Sequence, residues 1–132
     1  MGNMIQKVLI ADDSAIARSI VRRVLEAAGF ENLEIREADC GEKALEMLKQ
    51  SPAELVLTDL NMPKMDGFQL LRRIKASPKL TQTEVIVISS IVTEQKVQEL
   101  KINGALEVFK KPLAMPEVCQ FLTEYRDGLT SF

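Results

Sequence analysis

Apolar residues fall along this chain in two alternating patterns, short continuous runs and helical stripes. Lys7-Val8-Leu9-Ile10-Ala11 is the first run. A helical stripe follows, with Ile16, Ile20 and Val24 four residues apart and Val21 and Leu25 beside them; Asp13-Ser14 are its capping candidates and Gly29 its stop. Residues 33–38 (Leu-Glu-Ile-Arg-Glu-Ala) alternate, as an edge strand with one wet face would. A second helix is predicted from Gly41 to Gln50 on Ala44, Leu45 and Leu48, ended by Ser51-Pro52. Leu55-Val56-Leu57-Thr58-Asp59 is a continuous run that turns polar within one residue, and Pro63 and Gly67 then force a loop. A third helix starts near Asp66-Gly67, carrying Phe68, Leu70, Leu71 and Ile74.

Val85-Ile86-Val87-Ile88 repeats the pattern of a strand buried on both faces, and ends in Ser89-Ser90. Glu94 to Ile102 makes a short helix with a thin stripe of Val97, Leu100 and Ile102, closed by Asn103-Gly104. Leu106 to Lys110 is the fifth strand and runs into Lys111-Pro112; a last helix extends from about Met115-Pro116 to Tyr125. Strands alternating with helices predict an α/β fold, a doubly wound parallel sheet covered on both faces, because right-handed crossovers put helices there. The runs ending at Asp59 and Ser89 should be central in it.

With 132 residues, 1–132 is expected to form a single domain around one core. A net charge of -2 makes no electrostatic case for nucleic acid or an anionic membrane, and no apolar run nears the roughly 20 residues of a membrane span. Met1-Gly2-Asn3-Met4 lacks the charged and apolar regions of a secretory signal. Cys40 and Cys119 lie in separate elements without metal-type spacing and are expected as free thiols in a reducing cytoplasm. The chain has no histidine, which excludes a Ser-His-Asp triad and a histidine-ligated zinc site.

The strand ends carry the chemistry. Asp12-Asp13 follow the first strand, Asp59 ends the third, Ser89-Ser90 end the fourth and Lys111 follows the fifth. In a parallel sheet these share one rim, where open α/β sheets bind ligands. Singly, each has an ordinary reading: acids at a helix start, hydroxyls at a turn, a solvated lysine. Jointly they make a cleft. Two carboxylates about 4 Å apart repel by about 4 kcal/mol at an effective dielectric of about 20, so three of them would be costly, or would hold protons, unless a cation joins them. All-oxygen ligands select a hard metal, and magnesium fits because it leaves places for phosphate oxygens. Asp59 is then placed to attack phosphorus, Lys111 to meet phosphoryl oxygens as a fixed charge, and Ser89 to donate to a third oxygen. The reaction expected is formation and hydrolysis of an aspartyl phosphate.

Asp12-Asp13, Asp59, Ser89 and Lys111-Pro112, with the loop Asn61-Met62-Pro63-Lys64-Met65-Asp66-Gly67, resemble the receiver domain of bacterial response regulators over the whole chain. The resemblance implies a flavodoxin-like sheet in the order 2-1-3-4-5. It also implies Asp59 as phosphoacceptor, with Asp12, Asp13, Asp59 and the Asn61 backbone carbonyl around Mg2+. Ser89 would be the hydroxyl switch, and Lys111 would contact the phosphoryl group and precede a cis Pro112. The implied donor is a sensor histidine kinase, and the implied route to a downstream protein is the face of the fourth helix, fifth strand and fifth helix. Two positions depart from the pattern. Val108 stands where receivers carry an aromatic residue, and Phe109 points to the other face by pleat parity. Ser89 replaces the commoner threonine, with Ser90 where a small residue is expected.

Other classes fit less well. A flavodoxin-like electron carrier would need a hydroxyl- and glycine-rich phosphate loop where Asp12-Asp13 stand. A phosphatase of the haloacid dehalogenase type would want an acid where Asn61 stands. The stronger alternative is a phosphorylation-independent interaction module of receiver fold, which would leave an intact acid-lysine set unused.

Overall fold

The computed structural model describes residues 5–30 and 32–131, with side chains through residue 128. Met1–Met4, read above for a secretory signal, lie outside the described residues. The strands are β1 (Lys7–Ala11), β2 (Glu34–Ala38), β3 (Leu55–Asp59), β4 (Glu84–Ser89) and β5 (Glu107–Lys110); the helices are α1 (Ala15–Ala27), α2 (Gly41–Gln50), α3 (Gly67–Ala76), α4 (Glu94–Ile102) and α5 (Met115–Ser131). All pairings are parallel and the order is β2-β1-β3-β4-β5. β3 and β4 are interior and the alternating β2 is an edge, as their patterns require.

Strand parity divides the core into two layers. Val8, Ile10, Leu55, Leu57, Ile86 and Ile88 face Val21, Val24 and Leu25 of α1 and Val118 and Leu122 of α5. Leu9, Val56, Val85 and Val87 face Leu45 and Leu48 of α2, Leu70, Leu71 and Ile74 of α3, and Leu100 of α4. The interior strands bury side chains on both faces, which is why they show no polar alternation.

Three expectations need correction. Ile16 and Ile20 of α1 are 77% and 42% exposed, and the helix packs instead through Val21, Val24 and Leu25. Ile102 is 84% exposed, leaving Leu100 as the buried residue of α4. α5 continues past Tyr125 to Ser131. Its extension is tied down by Arg126, which donates to the Ala28 carbonyl at 2.6 Å and lies over the Phe30 ring. Among the described residues no helix is long and apolar enough to cross a membrane.

The loop after β3 is held against its surroundings. Lys64 and Met65 take φ of 49° and 85°, a region costly for side-chain-bearing residues. This turn aims their carbonyls at the N-terminus of α2, where Glu42 N and Gly41 N each donate at 3.0 Å. A Cβ at Gly41 would run into the Met65 carbonyl, and one at Gly67 into the Asp59 carbonyl, so both close approaches require glycine. Asp66 caps α3 in a capping box with Gln69.

Candidate phosphoacceptor site

The strand order reverses between β1 and β3, and the polar rim opens beyond their carboxyl ends. Asp12 extends the pairing of β1, its N–H donating to the Ala38 carbonyl at 3.0 Å. Its carboxylate is 3% exposed by residue and is held at both oxygens. Oδ1 accepts from Ser14 N at 2.9 Å and Oδ2 from Lys111 Nζ at 2.8 Å. Asp13 is exposed. Ser14, one of the two residues expected to cap α1, does so by accepting from Ala17 N at 3.2 Å.

Asp59, the last residue of β3, is 8% exposed, with Lys111 Nζ 3.5 Å from its Oδ2. Carboxylate oxygens of Asp12, Asp13 and Asp59 all lie within 4.8 Å of one another. The donor set is all oxygen and anionic, with no imidazole or thiolate, so it fits a hard divalent cation. Burial pushes the Asp59 carboxyl above the ordinary aspartate range and the Asp12 charge pushes it further; Lys111 and the backbone of Asn61 and Leu60 pull it down without cancelling the rise. Burial alone would lower Lys111, but its bond to Asp12 and the charges of Asp12 and Asp59 outweigh that, so its ammonium is held above the usual lysine value. Lys111 N donates to the Ser89 carbonyl at 2.9 Å, tying the end of β5 to β4, and the Lys111-Pro112 peptide is cis.

Ser89 ends β4 and is 1% exposed. Its hydroxyl donates to the Ile91 carbonyl at 3.0 Å and accepts from Ile91 N at 3.2 Å, so it caps its own turn instead of pointing a free proton into the acid cluster. Ser90 is exposed. Ser89 and the exposed Asn61 line a cavity beside the acids together with Phe68, Ile91 and Lys96. Lys96 Nζ sits 5.8 Å from the centre of the Phe68 ring. Neither Phe68 nor Lys96 was legible as part of the rim, because helical spacing marks Phe68 as core and Lys96 as solvated surface. Val108 packs in the layer of α2, α3 and α4 while Phe109, 8% exposed, lies in the layer of α1 and α5 with its ring edge-on to Phe121 at 5.4 Å. Pleat parity had put them on opposite faces, and they are.

A doubly wound α/β domain with three clustered acids and a paired lysine at its switch point carries its charged side chains where open α/β sheets bind ligands. Residues 8–123 match the response regulator receiver domain family, and the chain belongs to it. It is 37% identical over 110 residues to the chemotaxis protein CheY-3 of Vibrio cholerae, covering 83% of each chain. It is 38% identical over 115 residues, 86% of this chain, to a gliding motility regulatory protein of Myxococcus xanthus, of whose length it spans 14%. Among solved structures it superposes on the Mn2+-bound response regulator Rcp1 with a TM-score of 0.76 at 25% identity, covering 96% of this chain and 93% of that one. Members of this family are the receivers of two-component signalling, taking part with sensor histidine kinases and downstream effectors.

Proposed function

We propose that residues 1–132 act as a single-domain, cytoplasmic receiver in which Asp59 accepts a phosphoryl group from the phosphohistidine of a sensor histidine kinase. The observation that carries this is the convergence of the Asp12, Asp13 and Asp59 oxygens within 4.8 Å, with Lys111 Nζ at 2.8 Å from Asp12 and 3.5 Å from Asp59. A magnesium ion held by Asp12, Asp13, Asp59 and the Asn61 carbonyl would supply the charge that offsets the carboxylates and makes phosphoryl oxygens welcome.

Asp59 attacks phosphorus through a carboxylate oxygen; the P–N bond to the donor imidazole breaks and its electron pair stays on nitrogen. Burial at the end of β3 holds the Asp59 carboxylate in place for that attack. Lys111 keeps its proton and turns it toward a phosphoryl oxygen. Ser89 reaches that group only by giving up its bond to the Ile91 carbonyl, which makes the β4–α4 turn the element that senses phosphorylation. Water attack on phosphorus later restores the carboxylate and releases phosphate. The downstream partner docks on the face of α4, β5 and α5, where Ile102 and Met115 are 84% and 37% exposed.

The test is intact mass after incubation with a small phosphodonor and Mg2+. The wild type gains one phosphoryl group and Asp59→Asn gains none. If neither gains one, the phosphorylation-independent module is the better reading.

A further inference from the structure

The acid cluster has a brace on the opposite side from Lys111. Arg18, in the first turns of α1, has its side chain 18% exposed and donates from Nη1 to the main-chain carbonyl of Asp12 at 2.7 Å. Its Nε donates to Glu37 Oε1 on β2 at 2.7 Å, and the other oxygen of Glu37 accepts from Arg22 Nη2 at 2.7 Å. The Glu37 carboxyl is held below the usual range by its bonds to Arg22 and Arg18, so it is present as the carboxylate at neutral pH.

Both peptide groups flanking Asp12 are therefore anchored to the edge strand. The N–H on one side donates to the Ala38 carbonyl, and the C=O on the other accepts from Arg18, itself gripped by Glu37. That second peptide leads directly into Asp13. Its plane fixes the position of the Asp13 Cα, from which the exposed carboxylate extends, and Asp13 supplies one corner of the oxygen cluster. We propose that Arg18, clamped by Glu37, is a positioning residue that sets the Asp12-Asp13 peptide and through it the cluster's affinity for a divalent cation.

This rests on the reading of the cluster as a magnesium site, and the sign of the effect separates position from field. Arg18 brings positive charge near a cation site. If it acted only through its field, removing it would tighten metal binding. If it acts by holding the peptide, removing it weakens binding, by about tenfold as for other groups that orient metal ligands.

The experiment is calorimetric titration of Mg2+ into the full chain. Arg18→Met is expected to bind about tenfold more weakly than the wild type, and Glu37→Asp, which keeps the charge but shortens the reach to Arg18, to weaken it in the same direction by less. Arg126→Met loses a comparable arginine–carbonyl bond at the far end of α1, to Ala28, and is expected to bind Mg2+ like the wild type whatever its stability. Unchanged or tighter binding by Arg18→Met, or equal weakening in Arg126→Met, overturns the proposal while leaving the site reading intact. Absence of Mg2+ uptake by the wild type overturns both. Should Arg18→Met not fold, Glu37→Asp carries the same decision, because it keeps the charge and only loosens the grip on Arg18: weakened binding supports the brace and unchanged binding sinks it.

Discussion

The two sides of the rim are built to different standards. On the acid side, Asp12 is tied at its N–H, its carbonyl and both carboxylate oxygens, and the loop after β3 is pinned to α2 through the Lys64 and Met65 carbonyls. The helices beneath it, α2 and α3, bury Leu45 and Leu48, and Leu70, Leu71 and Ile74. On the hydroxyl side, Ser89 bonds within its own turn, Ile91 is 68% exposed, and α4 buries Leu100 alone. A fixed acid cluster keeps charges where phosphoryl transfer needs them, because preorganised groups cost nothing to arrange at the moment of reaction. A thinly packed α4 can shift at small cost, which suits the readout role proposed for its face.

The largest test of this contrast is in the packing under the acid side. Leu71 is fully buried between α3 and the sheet, so Leu71→Ala should cost about 2–5 kcal/mol in chemical denaturation. A loss under about 1 kcal/mol would mean that α3 is no firmer than α4.

A smaller effect of opposite sign is expected at Asp59. Its raised carboxyl means that the folded state binds the proton more tightly than the unfolded chain does. The ionised group therefore costs stability, by an amount that is absent below the ordinary aspartate pKa, grows as pH rises through and above it, and levels off once the folded group has ionised. Asp59→Asn should accordingly melt higher than the wild type at pH 7 without Mg2+, with 1 kcal/mol corresponding to about 4 °C at this chain length. The gain should shrink on acidification and disappear below the carboxylate range. A variant that melts lower at pH 7 would show that Lys111 more than compensates the buried charge.

The smallest effect belongs to the hydroxyl side. Ile102→Ala removes an exposed side chain and should change stability by less than about 0.5 kcal/mol, while weakening capture of a downstream partner. A cost approaching that of Leu71→Ala would dissolve the contrast.

How much of this was legible without coordinates differs along the chain in the same way. The strand runs and their polar ends could be read because a parallel strand buried on both faces has few sequence alternatives, and all parallel strands bring their carboxyl ends to one rim. The stripe of α1 could not: Ile16, Ile20 and Val24 share one spacing and Val21, Val24 and Leu25 another, and where the helix lands on the sheet decides between them. The turn at Lys64-Met65 gave no sign, since neither residue is the glycine or asparagine that advertises positive φ. The direction of the Ser89 hydroxyl and the Arg18–Glu37 link depend on contacts between separate elements. Pleat parity did settle the fifth strand, where Val108 faces one layer and Phe109 the other.

In the proposed reaction one carboxylate, at the end of β3, receives the phosphoryl group while its two neighbours and Lys111 arrange the charge around it. Borohydride reduction of the phosphorylated chain converts an aspartyl phosphate to homoserine, and peptide mass mapping then locates it. Homoserine is expected at position 59 and nowhere else; homoserine at position 12 or 13 would put the phosphoryl group on a neighbouring acid instead.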